Sequence, residues 1–227
     1  MNYFAHALPF LDADPYFLAG TAVPDWMAVA DRPVRVRAKL AAALAEVTDS
    51  QLVRSVAEGA LRHLRDDDWF HTTRGFAEVT GQLTRLFREC LGPDDSMRCS
   101  FLGHVVTELL LDSALIERQP SRLDRYYDRL LEVDPAQVER SVNQMARGET
   151  ERLKLLIPLF IRERFLYDYA EDAPLLTRLN AVLQRVKLTV LPDAVLDVLA
   201  AGRRIVRDRV RDLLTSEHYP FPLESLR

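Results

Sequence analysis

The sequence predicts an all-α fold, a single domain of about ten helices over residues 1–227. Three observations carry that prediction. Only 8 of the 227 residues are Gly, and Ala, Leu, Arg and Glu dominate, a composition that suits helices better than a turn-rich β protein. Apolar residues recur at helical spacing along most of the chain, without the strict apolar–polar alternation of strands. Helix starts and stops also follow one another closely, at Asp14-Pro15, Thr48-Asp49-Ser50, Gln119-Pro120-Ser121, Asp134-Pro135 and Arg147-Gly148. No internal repeat, low-complexity linker or shift of composition marks a domain boundary.

Taken in order, residues 2–11 (N-Y-F-A-H-A-L-P-F-L) open directly into apolar sequence around His6. Asp12-Ala13-Asp14-Pro15 supplies an N-cap with Pro at the first helical position. The short apolar helix that follows is read as closed by Pro24-Asp25-Trp26. An acid after a Pro-fixed turn can aim its carboxylate inward or simply cap the next helix, so Asp25 has two readings. A helix over 33–46 starts at Pro33, and another runs from Gln51 to Leu64.

The segment His63 to His71 reads H-L-R-D-D-D-W-F-H. Its three acids predict a turn feeding a new helix at Trp69, because acids favour helix N-termini. An unbroken helix would instead stack His63, Asp67 and His71 at i, i+4 and i+8. On the turn reading, His71 sits in the first turn of a helix reaching Cys90. His63 then points elsewhere, as an ordinary core histidine.

Gly92-Pro93-Asp94-Asp95-Ser96 breaks the chain before its central helix, Phe101–Ile116. A short amphipathic helix follows Gln119-Pro120-Ser121, and Asp134-Pro135 caps one that reaches Ala146. Residues 149–170 keep helical periodicity, with a kink expected at Pro158. Further helices begin at Asp172 and Pro192, the last ending near Thr215. The tail from His218 is expected to run extended over the surface.

The central helix carries the chemistry. Most of F-L-G-H-V-V-T-E-L-L-L-D-S-A-L-I is apolar, as in a buried helix, yet His104, Glu108 and Asp112 recur at i, i+4 and i+8. Carboxylates in an apolar shell are costly unless they are paired or hold a cation. Imidazole and carboxylate one turn apart are a common helical metal-ligand pair. A stripe facing a water-filled crevice, or paired with Arg, is the plainer alternative. With His6, Asp25 and His71, this stripe gives enough His and carboxylate for one or two metals in a helical domain, and mixed N/O ligands suit Zn, Mn or Fe. Such a site would activate water toward an ester or phosphoryl group.

Other function classes lack their signatures. A formal net charge of −4 gives no basic field for nucleic acid. There is no G-x-S-x-G elbow, Gly-rich phosphate loop or dinucleotide fingerprint. Cys90 and Cys99 form neither a CxxC pair nor a disulfide framework. No uninterrupted apolar run is long enough for a membrane span, and no leader segment is evident, so a cytosolic setting is expected.

Three blocks, N-Y-F-A-H at 2–6, F-L-A-G-T-A-V-P-D-W at 17–26 and F-H-T-T-R-G-F at 70–76, resemble the acyl-carrier-protein phosphodiesterase family. That family opens with N-F-L-A-H, continues with G-N-x-x-x-D and later carries a His-Arg-x-x-Asp block. F-L-G-H-V-V-T-E similarly resembles the His-x-x-x-acid helix of zinc-dependent phospholipase C proteins. The resemblance covers short blocks within 1–116 and leaves 117–227 as a helical C-terminal half. It implies an architecture like the HD-type metal phosphohydrolases and a divalent metal, manganese for example, near His6, Asp25, His71 and His104. It also implies hydrolysis of the phosphodiester joining phosphopantetheine to a carrier-protein serine. Two family acids are missing: the one four residues after the third-block His falls on Gly75, and that of the central Asp-His pair on Gly103. Glu108 and Asp112 are the carboxylates that could stand in, as ligand or general base.

The alternative is a non-catalytic helical protein whose polar core serves packing or partner binding. An acidic carrier-protein partner would need a local basic face. Arg203, Arg207 and Arg211 share one side of the last helix at i, i+4 and i+8, and the reading leaves that row free of local pairs.

Overall fold

A computed structural model describes residues 1–92 and 96–221, and among the described residues there are eleven α-helices and two short 3-10 segments. The fold is all-α. Among the described residues the only β contact is an isolated bridge between Val36 and Ala146. The helices are α1 (Tyr3–Ala7), α2 (Pro15–Ala30), α3 (Ala38–Val47), α4 (Gln51–Phe70), α5 (Arg74–Leu91) and α6 (Ser96–Arg118). They continue with α7 (Pro120–Leu130), α8 (Pro135–Met145), α9 (Leu153–Glu163), α10 (Asp172–Arg185) and α11 (Val195–Leu213). Residues 93–95 of the expected break, and the tail from 222, lie outside the described residues.

The chain forms two compact units, neither of them confined to one half of the sequence. The first takes Met1, Tyr3–Asp68 and Pro120–Arg164; the second takes Asn2, Trp69–Gln119 and the chain from Phe165 onward.

In the first unit, α2 packs against α7, α8 and α9. Phe160 of α9 lies edge-on to Trp26 of α2, 5.3 Å between centroids, with Tyr126 and Tyr127 of α7 beside it. Two glycines bring α2 and α4 backbone to backbone. A Cβ on Gly20 would lie 2.5 Å from Val56 O, and one on Gly59 would run into Phe17 O. This crossing sets Thr21, one residue past Gly20, beside His63, one turn past Gly59.

In the second unit, α5, α6 and α11 pack mutually, and α10 and the 3-10 segment Phe165–Ala170 complete the core. The segment Arg98–Arg118 of α6 is long and apolar enough to cross a membrane by composition, but it is mostly buried inside the protein, as a core helix is. Gly75 and Gly103 mark the tightest approaches. A Cβ on Gly75 would lie 2.5 Å from Asp212 C of α11, and one on Gly103 2.8 Å from Thr80 O of α5.

Several boundaries differ from the sequence reading. α2 continues through Pro24 to Ala30 instead of closing there. Pro24 leaves Gly20 O without its helical donor, a loss that the surrounding packing of a buried helix tolerates. α3 begins at Ala38, because residues 31–37 form a turn and the bridge to Ala146. α4 runs unbroken through Asp66-Asp67-Asp68 to Phe70. The acids do not end it because Asp66 pairs with Arg62 one turn back. His71 therefore lies in the turn before α5, whose N-cap is Thr73, accepting from Phe76 N.

Candidate metal centres

Among the described residues, two groups of His and carboxylate place their ligand atoms within 4.8 Å of one another. One, in the first unit, is His6, His63 and Asp67. The other, in the second unit, is His71, His104 and Glu108. Each could hold a metal ion.

The first group is built by α1 and α4. His6 and His63 are buried and stack, 3.8 Å between centroids and 18° between planes. His63 Nδ1 lies 2.7 Å from Thr21 O. A carbonyl can only accept, so Nδ1 carries a proton, and in the neutral ring Nε2 presents a lone pair. That Nε2 faces Asp67 Oδ2 at 3.3 Å, and His6 Nε2 faces Asp67 Oδ1 at 3.3 Å. A neutral imidazole would thus set an acceptor against an acceptor, which a proton or a cation must relieve. Neither ring nitrogen of His6 makes a well-formed hydrogen bond, although each faces a carboxylate.

Burial works against the charge of Asp67, but His6, His63 and the Met1 amino group 2.7 Å from Oδ1 outweigh it and hold the carboxyl well below the usual range. Asp66 is likewise buried, and His6 and Arg62 keep its pKa low. The folded-state pKa of Asp67 is the depressed one. Its charge therefore stabilises the fold above the unfolded value near 4, and that contribution is lost as pH falls. Asp67→Asn is expected to cost roughly 3 kcal/mol at pH 6 in chelator, as for one partner removed from a buried pair. The gap from the unmutated protein should shrink as pH drops from about 5 toward 3. Urea titrations across that range check it.

The second group is more open. His71 hangs from the turn after α4, and His104 and Glu108 lie one turn apart on α6. His71 Nε2 is 2.8 Å, and His104 Nε2 3.4 Å, from Glu108 Oε1. The imidazoles are 4.8 Å apart, and Phe76 packs edge-on to both at 5.0 Å. His71 and His104 are 32% and 42% exposed, and Glu108 17%. Burial disfavours the Glu108 charge, yet positive charge in its surroundings and then hydrogen bonds from His104 and His71 keep its pKa below the ordinary carboxylate range. This group has ligand atoms gathered on one side and solvent on the other, which leaves positions for water or substrate.

The chain matches no family model, no curated protein and no solved structure.

Of the residues singled out by the sequence, His6 falls in the first group, and His71, His104 and Glu108 fall in the second. Asp25 is half-buried inside α2, and Asp112 is fully buried on α6; neither belongs to either group. The turn reading leaves His63 a weaker candidate and separates it from Asp67, whereas the unbroken α4 stacks the pair at i, i+4. The Arg row requires correction. Arg203 is only 15% exposed, bonding Asp172 at 2.7 Å, Tyr169 O at 3.0 Å and Ser113 Oγ. Arg207 pairs with Glu117 at 2.9 Å. Spacing along α11 could not reveal these acceptors, because they come from α6, α10 and the 3-10 segment.

Proposed function

We propose that this chain is a divalent-metal-dependent hydrolase acting on phosphoesters. The observation that carries the reading is the convergence of His71, His104 and Glu108 at a solvent-accessible position. Two imidazoles and a carboxylate are a donor set for Zn, Mn or Fe. A metal held there supplies a bound water of lowered pKa and a Lewis acid for a phosphoryl oxygen. Glu108 serves as ligand or as the base that takes the proton from water.

The phosphodiester comes from the sequence resemblance alone. A carrier protein as substrate stays with that resemblance, since Arg203 and Arg207 are already paired.

The rival reading, a polar core without catalysis, is favoured by a different observation. Asp66 and Asp67 already have Arg62 and the Met1 amino group as counter-charges. Metal analysis of untagged protein separates the two readings. At least one equivalent of a transition metal, with hydrolysis of a phosphodiester panel lost in chelator and restored by Mn or Zn, is expected. Under a tenth of an equivalent, with no uptake of either ion, overturns the proposal.

Stability gives a second check. His104→Ala should lower Tm far more in metal-replete buffer than in chelator, because a ligand at 100 times its Kd adds about 2.7 kcal/mol to the native state. Equal shifts in both buffers would favour the polar core.

A further inference from the structure

The imidazoles of the first group are held from behind by different acceptors. His63 has Thr21 O against Nδ1 at 2.7 Å. His6 has the Asp66 carboxylate, with Oδ2 3.7 Å from Nδ1. That separation is too long for a hydrogen bond, and the His6 ring is completely buried with both nitrogens lacking a hydrogen-bond partner. Asp66 is held firmly. Arg62 donates to it twice, Nε to Oδ2 at 3.0 Å and an η nitrogen to Oδ1 at 2.7 Å. The Arg62 guanidinium in turn lies over the Phe10 ring at 5.1 Å.

A cation bound through Nε2 obliges an imidazole to keep its proton on Nδ1, where a backing acceptor fixes the ring and raises its basicity. For His63 that acceptor is already at bonding distance. For His6 the group facing Nδ1 is Asp66, about 1 Å beyond the ordinary hydrogen-bond length. We infer that Asp66, clamped by Arg62, is the positioning residue of His6, accepting a hydrogen bond from its Nδ1–H when a divalent cation sits on His6, His63 and Asp67. This inference rests on the metal reading above. Closing the gap moves the His6 ring toward Asp66, while its Nε2 and that of His63 each face an Asp67 oxygen at 3.3 Å. A carboxylate backs an imidazole more strongly than a carbonyl does. His6 is therefore the stronger of the two nitrogen ligands.

The test uses the full-length chain carrying His104→Ala, which removes one ligand of the second group at a partly exposed position. Zn(II) affinity is measured by competition with a chromophoric chelator. Adding Asp66→Ala should weaken Zn binding about 10–100-fold, the usual cost of a lost outer partner. Asp66→Asn, which keeps an oxygen toward Nδ1, should lose less. Two-bond 15N–1H correlation of the His6 ring gives a readout that a packing defect alone would not move. It should show Nδ1–H with Nε2 metal-bound in the background protein, and a mixed tautomer in Asp66→Ala. Should Asp66→Ala fail to fold, Asp66→Asn decides by the same two measurements.

Zn binding by Asp66→Ala, or by a folded Asp66→Asn in its place, within twofold of the background, with the His6 tautomer unchanged, overturns the role of Asp66 and leaves the metal reading standing. No Zn uptake by either the background or the unmutated protein overturns the metal reading itself, and this inference with it. Zn binding that His6→Ala leaves unchanged places the ion elsewhere and removes Asp66 from it.

Discussion

Glu108→Gln is expected to lower phosphodiester turnover by about 10³-fold, within the range for loss of a positioned acid–base group, while the fold survives. Glutamine keeps the length and shape of the side chain but removes the charge that His71 and His104 share. The carboxyl is held below its ordinary range, so it is ionised throughout the pH range of an assay, and the substitution removes a full negative charge at every pH tested. With Glu108 as ligand, metal affinity and kcat fall together. With Glu108 as general base, kcat falls at nearly unchanged metal content. Equilibrium metal binding beside steady-state kinetics distinguishes these outcomes. Turnover unchanged within threefold, with metal still bound, would remove Glu108 from the chemistry.

The fold class and the second metal group were legible in the sequence for a common reason. Both depend on spacing along one helix or on the chemistry of one turn. His104 and Glu108 sit at i, i+4, and a helix aligns such a pair whatever surrounds it. His71 was legible as a candidate because of its own apolar flank, Trp69-Phe70. The first group was only half legible. His63 and Asp67 obey the same i, i+4 rule, but the acid run at 66–68 suggested a break. What overrides that local preference is the Arg62–Asp66 pair one turn apart together with tertiary contacts: Asp66 is buried and Asp67 half-buried against His6 and the Met1 amino group. The α11 arginines failed for the same reason in reverse. Spacing showed a shared face, while the acids that neutralise it lie on elements distant in sequence.

The missing acids at Gly75 and Gly103 have a packing explanation, and it leads to the largest stability effect expected. At both positions a helix backbone is close to another element, and the absence of a Cβ is what permits the approach. A Cβ on Gly75 would lie 2.5 Å from Asp212 C and 3.1 Å from Leu213 N, both backbone atoms of α11. On Gly103 it would lie 2.8 Å from Thr80 O and 3.0 Å from Thr84 N. Backbone cannot swing aside as a long side chain can, so the helices themselves must separate. An Asp at either position would also push a carboxylate against backbone carbonyl groups. Gly75→Asp and Gly103→Asp are therefore each expected to cost at least about 4 kcal/mol, in the exceptional range for a single substitution. For a chain of this size that means a fall of roughly 8–16 °C in Tm, whether or not metal is present. Gly103→Ala should recover part of the loss, since it keeps the clash but not the buried charge. Thermal melts in chelator and in metal-replete buffer measure both. A Gly103→Asp protein that melts within 2 °C of the unmutated chain, or gains metal affinity, would show that an acid is tolerated there and that packing does not account for the glycine.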